Sequence, residues 1–142
     1  MKKLLLLVLF TIGILTACSP SNNALVINDV WARPASAGEN GAAYFVIDNG
    51  TTSDDVLLSV SSDIANASEV HMSMADGNGV MSMAMQEMVE IPARSKVEFK
   101  TGGLHVMFIA LNRDLKVGET FSLTLNFKNS GNVTIEVVVR EY

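Results

Sequence analysis

From residue 24 onward, apolar and polar side chains alternate in short runs, the period of a β-strand with one buried face. The clearest run is 120–127, where Leu123, Leu125 and Phe127 alternate with Ser122, Thr124 and Asn126. Residues 25–30, 43–48 and 56–60 are short, mostly β-branched or aromatic, and bounded by Gly, Asn, Asp, Ser or Pro. Residues 69–74 and 80–86 flank Ala75-Asp76-Gly77-Asn78-Gly79. Asp-Gly and Asn-Gly pairs favour positive φ, so this is a hairpin signal. Residues 96–100, 104–111 and 133–139 complete the set. One helical turn is expected around 62–67, and no longer helix. Eight or nine strands with turns every 8–12 residues predict an all-β Greek-key sandwich or barrel. No internal repeat or domain boundary is visible.

Residues 1–23 follow a different pattern. Lys2 and Lys3 precede an apolar run over 4–15, then Thr16-Ala17-Cys18. A basic start and about a dozen apolar residues read as a secretory signal, too short to span a bilayer comfortably. Leu15-Thr16-Ala17-Cys18 resembles a bacterial lipobox, in which the chain is cut before a Cys that carries lipid. Residues 1–17 are then signal peptide, and Cys18 with the polar stretch to Asn23 is a lipidated tether. The domain is 24–142. The expected location is extracytoplasmic and membrane-anchored.

Composition sharpens this picture in two ways. The 142-residue chain has a net charge of −5; without Lys2 and Lys3 it has 8 basic and 15 acidic residues and a net charge of −7. That balance argues against nucleic acid as a partner. The single Cys excludes a disulfide framework or a CxxC motif. With Cys18 lipidated, no thiol is left for catalysis or thiolate metal transfer.

Methionine is the uneven residue. Six of the eight, at 72, 74, 81, 83, 85 and 88, fall within 17 positions, and Met107 follows. Both histidines, His71 and His105, sit at the edges of this region. His105 and Met107 share one strand face, as do Met81, Met83 and Met85. A hairpin centred on Gly77 would put His71 across from Met83, at a Cβ separation of about 4.5–5.5 Å. Thioethers with imidazoles are a soft, neutral donor set that suits Cu(I) better than Zn(II). The residues alone leave three readings open: a soft-metal site, a Met-rich partner surface, or ordinary core filled by Met. No Ser/His/Asp arrangement, phosphate loop or paired carboxylates stand out, so no enzyme is indicated.

His71-Met72, ten residues, Met83, twenty-one residues, then His105-Val106-Met107 resembles the H(M)x10Mx21HxM signature of the PCu(A)C-type periplasmic copper chaperones. Val30-Trp31-Ala32-Arg33-Pro34, Gly41-Ala42-Ala43-Tyr44, Gly102-Gly103-Leu104-His105 and the 115–119 turn also look like segments of that family. The resemblance implies a cupredoxin-like sandwich holding one Cu(I) through His71, Met83, His105 and Met107. It implies delivery to the CuA centre of cytochrome c oxidase, often beside a Sco-type protein. Membrane-tethered copper buffering is the alternative. The lipobox departs from family members that are soluble in the periplasm.

The remaining residues read more plainly. Trp31 is expected in the core, or as a cover for the site. Arg33 is expected to be solvated or paired with a carboxylate. Asp54, Asp55 and Asp76 fit turns better than a Ca(II) site. The sequons at Asn49, Asn66 and Asn132 carry no meaning in a bacterial lipoprotein.

Overall fold

The computed structural model describes residues 23–75 and 77–141. The signal peptide, Cys18 and Asp76 lie outside them. The described chain is all-β, in ten strands: β1 (Leu25–Ala32), β2 (Gly41–Asn49), β3 (Asp55–Ser61), β4 (Ala65–Ala75), β5 (Met81–Met85), β6 (Val89–Ile91), β7 (Ser95–Phe99), β8 (Leu104–Leu111), β9 (Thr120–Phe127) and β10 (Gly131–Val139). They form one hydrogen-bonded sheet in the order β5-β4-β8-β7-β2-β1-β10-β9-β3-β6, with β8 also pairing β2.

The sheet folds over on itself. Phe108 of β8 and Phe121 of β9, five places apart in the sheet order, meet edge to face with centroids 5.4 Å apart. The core between them takes alternate residues from the strands. Ala43, Phe45 and Ile47 come from β2, Val106 and Phe108 from β8, and Leu123, Leu125 and Phe127 from β9. The alternation seen at 122–127 therefore has the expected direction, with Leu and Phe inward.

Two expectations need correction. No helical turn forms at 62–67: Ala65–Ala67 already belong to β4 after a turn at Asp63-Ile64. Ile64 is buried in the core, and its carbonyl accepts from Asn112 N. Tertiary burial and cross-strand pairing there outweigh local propensity. The second concerns β6. Three residues, with only Ile91 fully buried, give too short an alternation to read, yet they pair with β3 at one edge of the sheet.

The loops are held by buried polar groups. The Asn49 side chain is buried; its amide donates to the carbonyls of Ser53, Ile91 and Pro92, and its oxygen accepts from Thr51. This sequon asparagine has a structural task. Asp55 is also buried and, like Asp54, serves a turn. Its two oxygens accept from the backbone N–H groups of Val56, Asn129 and Ser130 and from the Ser130 hydroxyl, at 2.6–2.9 Å. Asp54 accepts from Ala93 N.

Burial alone would push the Asp55 carboxyl up, but the four donors outweigh it and hold the group below its ordinary range. A lowered folded-state pKa gives stability that is complete above the unfolded-state value, near pH 4. That stability is lost as pH falls through the lower folded value. Asp55→Asn should therefore cost about 1–3 kcal/mol at pH 7. The difference from wild type in urea unfolding should shrink towards pH 2–3. An unchanged difference across that range would refute the assignment.

Candidate metal centre on the outer sheet face

The face turned away from the core carries both histidines and the methionines at 81, 83, 85 and 107. β4 pairs with β8 so that His71 lies opposite His105 and Glu69 opposite Met107. Directly opposed residues of antiparallel strands share a face. The same register puts Val70 opposite Val106 on the other face, and both valines are buried in the core.

β5 adds the hairpin thioethers. Its register pairs Met85 with His71, Met83 with Ser73 and Met81 with Ala75. This corrects the expected hairpin centred on Gly77. β4 runs to Ala75 and β5 begins at Met81, with Gly79 at φ 80° before it, so the register is shifted by two. A shift of two preserves the face. Met83 stays on the His71 side at a diagonal position, and Met85 takes the place directly across.

On the other flank, β2 continues the row. Met107 pairs with Ala42, and the Tyr44 ring lies 6.5 Å from the His105 ring. Trp31 stacks on Tyr44 at 4.6 Å. Trp31 reaches this face through a bulge in β1. Up to Asn28 the strand pairs in one register, and from Trp31 in another, with Asp29 at φ 52° between them. Asp tolerates that left-handed conformation better than most residues. The extra residue turns Trp31 away from the core face that Ile27 occupies. Trp31 is buried, but against Tyr44 and beneath the Arg140 guanidinium, 5.1 Å from its ring. Arg33 is exposed, the solvated one of its two expected environments, and from there it lies over Tyr44 at 5.6 Å and donates to Thr101 Oγ1.

A cleft of about 430 Å³ opens on this face. Met81, Met83, His105 and Met107 line it, with Tyr44 and Arg33 at its side; Arg33 is the one charged lining residue. His105 is only 7% exposed, whereas Met83 is 60% exposed. His71 does not line the cleft. It sits behind His105, ring centroids 6.1 Å apart.

The two imidazoles are held by different partners. His105 Nδ1 is 3.0 Å from the Gly103 carbonyl, which can only accept, so Nδ1 carries the proton and Nε2 keeps its lone pair. His71 Nε2 is 2.8 Å from the Glu69 carboxylate, and its Nδ1 is buried without a hydrogen-bond partner. A neutral His71 therefore carries its proton on Nε2 and leaves Nδ1 as the free donor atom. Glu69 was missed in the sequence, although its i, i+2 spacing from His71 on a strand places both on one face. Among the described residues no three His, Cys, Asp or Glu side chains group as a metal site. What converges is thioether and imidazole.

A model of the family described as "Putative lipoprotein LpqE-like" matches residues 25–139. The chain belongs to the LpqE-like family. It is a PCuAC-type chain: its fold overlays the copper-bound PCuAC domain from PmoF2 with a TM-score of 0.70, at 25% identity, covering 83% of this chain and 93% of that one. The solution structure of CuI-DR1885 from Deinococcus radiodurans overlays with a TM-score of 0.62, at 27% identity, covering 87% and 85%. A relative from Leifsonia xyli, "Putative lipoprotein Lxx21020", is 22% identical over 116 residues, 82% of this chain and 69% of its own length.

In this LpqE-like chain the two ring assignments can be read directly. Long-range ¹⁵N–¹H correlation spectra above pH 8 should show His71 as the Nε2–H tautomer and His105 as the Nδ1–H tautomer. Glu69→Ala should release His71 into a mixture and leave His105 as it was. A His71 spectrum insensitive to the substitution would show that Glu69 does not set its tautomer.

Proposed function

We propose that the chain is an extracytoplasmic copper chaperone that carries one Cu(I) on His71, Met83, His105 and Met107. The observation that supports this most is the cleft itself. It gathers two of these thioethers and one of these imidazoles in a fold shared with a copper-bound PCuAC domain. The fourth donor, His71, stands one strand away. Its buried Nδ1 lacks a partner, a costly arrangement that a metal ion would offset.

The donor chemistry suits the cargo. Two thioethers and two neutral imidazoles are soft donors that favour Cu(I) over harder divalent ions. They leave the loaded site with a total charge of +1. Thioethers neither titrate nor form disulfides, so the ion is held without a thiolate and is easier to pass on. His105, locked by Gly103 and flanked by Tyr44, is the fixed end of the site. Met83, exposed on the edge strand, is the movable end. The fold is read here as the cupredoxin-like Greek-key sandwich that the sequence implies.

The same reading places the protein on a membrane through lipid at Cys18, in line with the lipoprotein names of its family and relative. Its acceptor is the CuA centre of cytochrome c oxidase, with a Sco-type protein as a further partner. It binds and transfers an ion and catalyses no reaction.

Anaerobic Cu(I) titration against a chromophoric competitor should give one tight equivalent, lost in the His105→Ala/Met107→Ala double variant. Glu69→Ala should weaken binding about 10–100-fold, the usual effect of removing a partner that orients a ligand. No Cu(I) uptake by the wild type would end the copper reading. In cells, deletion should lower oxidase CuA content, with recovery on added copper. Copper sensitivity with normal oxidase would instead mark buffering as the role.

A further inference from the structure

β5 is an edge strand, hydrogen-bonded to β4 on one side and exposed along its whole length. Edge strands ordinarily carry charge or proline to discourage pairing with other chains. This one reads Met-Ser-Met-Ala-Met, and its thioethers are 55–60% exposed. Methionine is neither a strong strand former nor a solubilising residue, so fold stability does not account for it.

Met81 has the most informative position. It lies two residues before Met83 on the same strand face, a spacing of about 6.5–7 Å. It lines the same cleft as Met83, His105 and Met107. It is opposite Ala75, away from the His71–His105 row, and stands towards the turn end of the hairpin. A side chain with three rotatable bonds can sweep that gap. The cleft is also far larger than one ion needs, which leaves room for an incoming donor.

We propose that Met81 is a transit ligand: Cu(I) enters and leaves the four-donor centre through a transient bond to the Met81 sulfur. The inference rests on the copper reading above. In the exit step a Cu–S bond to Met81 forms as a bond to one of the resident donors breaks. A donor from the receiving molecule then displaces Met81. Copper stays Cu(I) throughout, the donated electron pairs remain with their sulfur or nitrogen atoms, and no proton moves at the thioethers. Each step exchanges one bond for another, so the ion is never stripped of all its ligands.

The test separates rate from affinity. The Cu(I)-loaded full-length chain is mixed anaerobically with excess bicinchoninate, and copper transfer is followed by absorbance. Met81→Leu should slow transfer about tenfold, leave the equilibrium affinity within threefold, and keep one copper per chain. Met74→Leu is the matched control. Met74 is similarly exposed, at 51%, but pairs with Ser82 on the opposite face of the hairpin, and its loss should change neither quantity. Three results would overturn the proposal. A wild-type transfer rate in Met81→Leu would leave Met81 without a role. A parallel fall in affinity would make it a resident ligand. A wild-type stoichiometry of two that drops to one would make it part of a second site. Wild-type protein that takes up no Cu(I) at all would remove the copper reading itself, and this inference with it.

Discussion

The outer face depends on the pairing of β4 with β8. One register buries Val70 against Val106 and, by strict alternation, turns His71 and His105 outward side by side. A slip of β4 by one residue against β8 would reverse its two faces. It would expose Val70, whose burial is worth about 1.5–3 kcal/mol. It would also drive the His71 imidazole into an apolar core with no partner. The burial of the two valines thus fixes which way the two histidines point. Glu69 and Met107 occupy the next rung for the same reason.

The flanks of that row differ in rigidity. Towards β2 and β1, His105 is backed by Tyr44 and Trp31, and those rings lie beneath two guanidinium groups. The bulge at Asp29 makes this possible by bringing Trp31 round to the Tyr44 side. Towards β5 there are only exposed thioethers on a strand with one neighbour. On the copper reading proposed above, an imidazole fixed on one side and soft, exposed donors on the other would form a site that can be specific and still release its ion.

Much of this was legible in the residues. Alternation and turn signals located nine of the ten strands, and the two-residue spacing of the donors placed them on shared faces. What could not be read was tertiary. The two-residue shift of the β4–β5 hairpin depends on how many residues the turn takes up, and Gly77 and Gly79 offer different centres. Because the shift is even, the face was read correctly and the neighbour was not, so Met85 stands where Met83 was expected. β6 is too short for any periodicity. Trp31 changed sides through a single bulge that Asp29 does not advertise, and the helical turn near Ile64 yielded to core burial. Glu69 was visible in spacing but went unread, because an acidic residue on an exposed strand ordinarily needs no explanation.

The edge position of β5 has an evolutionary consequence. Residues there contact little of the core, so substitutions in the hairpin are nearly free of folding cost, while β8 and β2 are pinned by the buried phenylalanines. Folding therefore constrains the β8–β2 half of the face closely and the β5 half little. It leaves the residues of β5 other than the proposed donors Met81 and Met83 free to vary, with the scaffold and its histidines left intact.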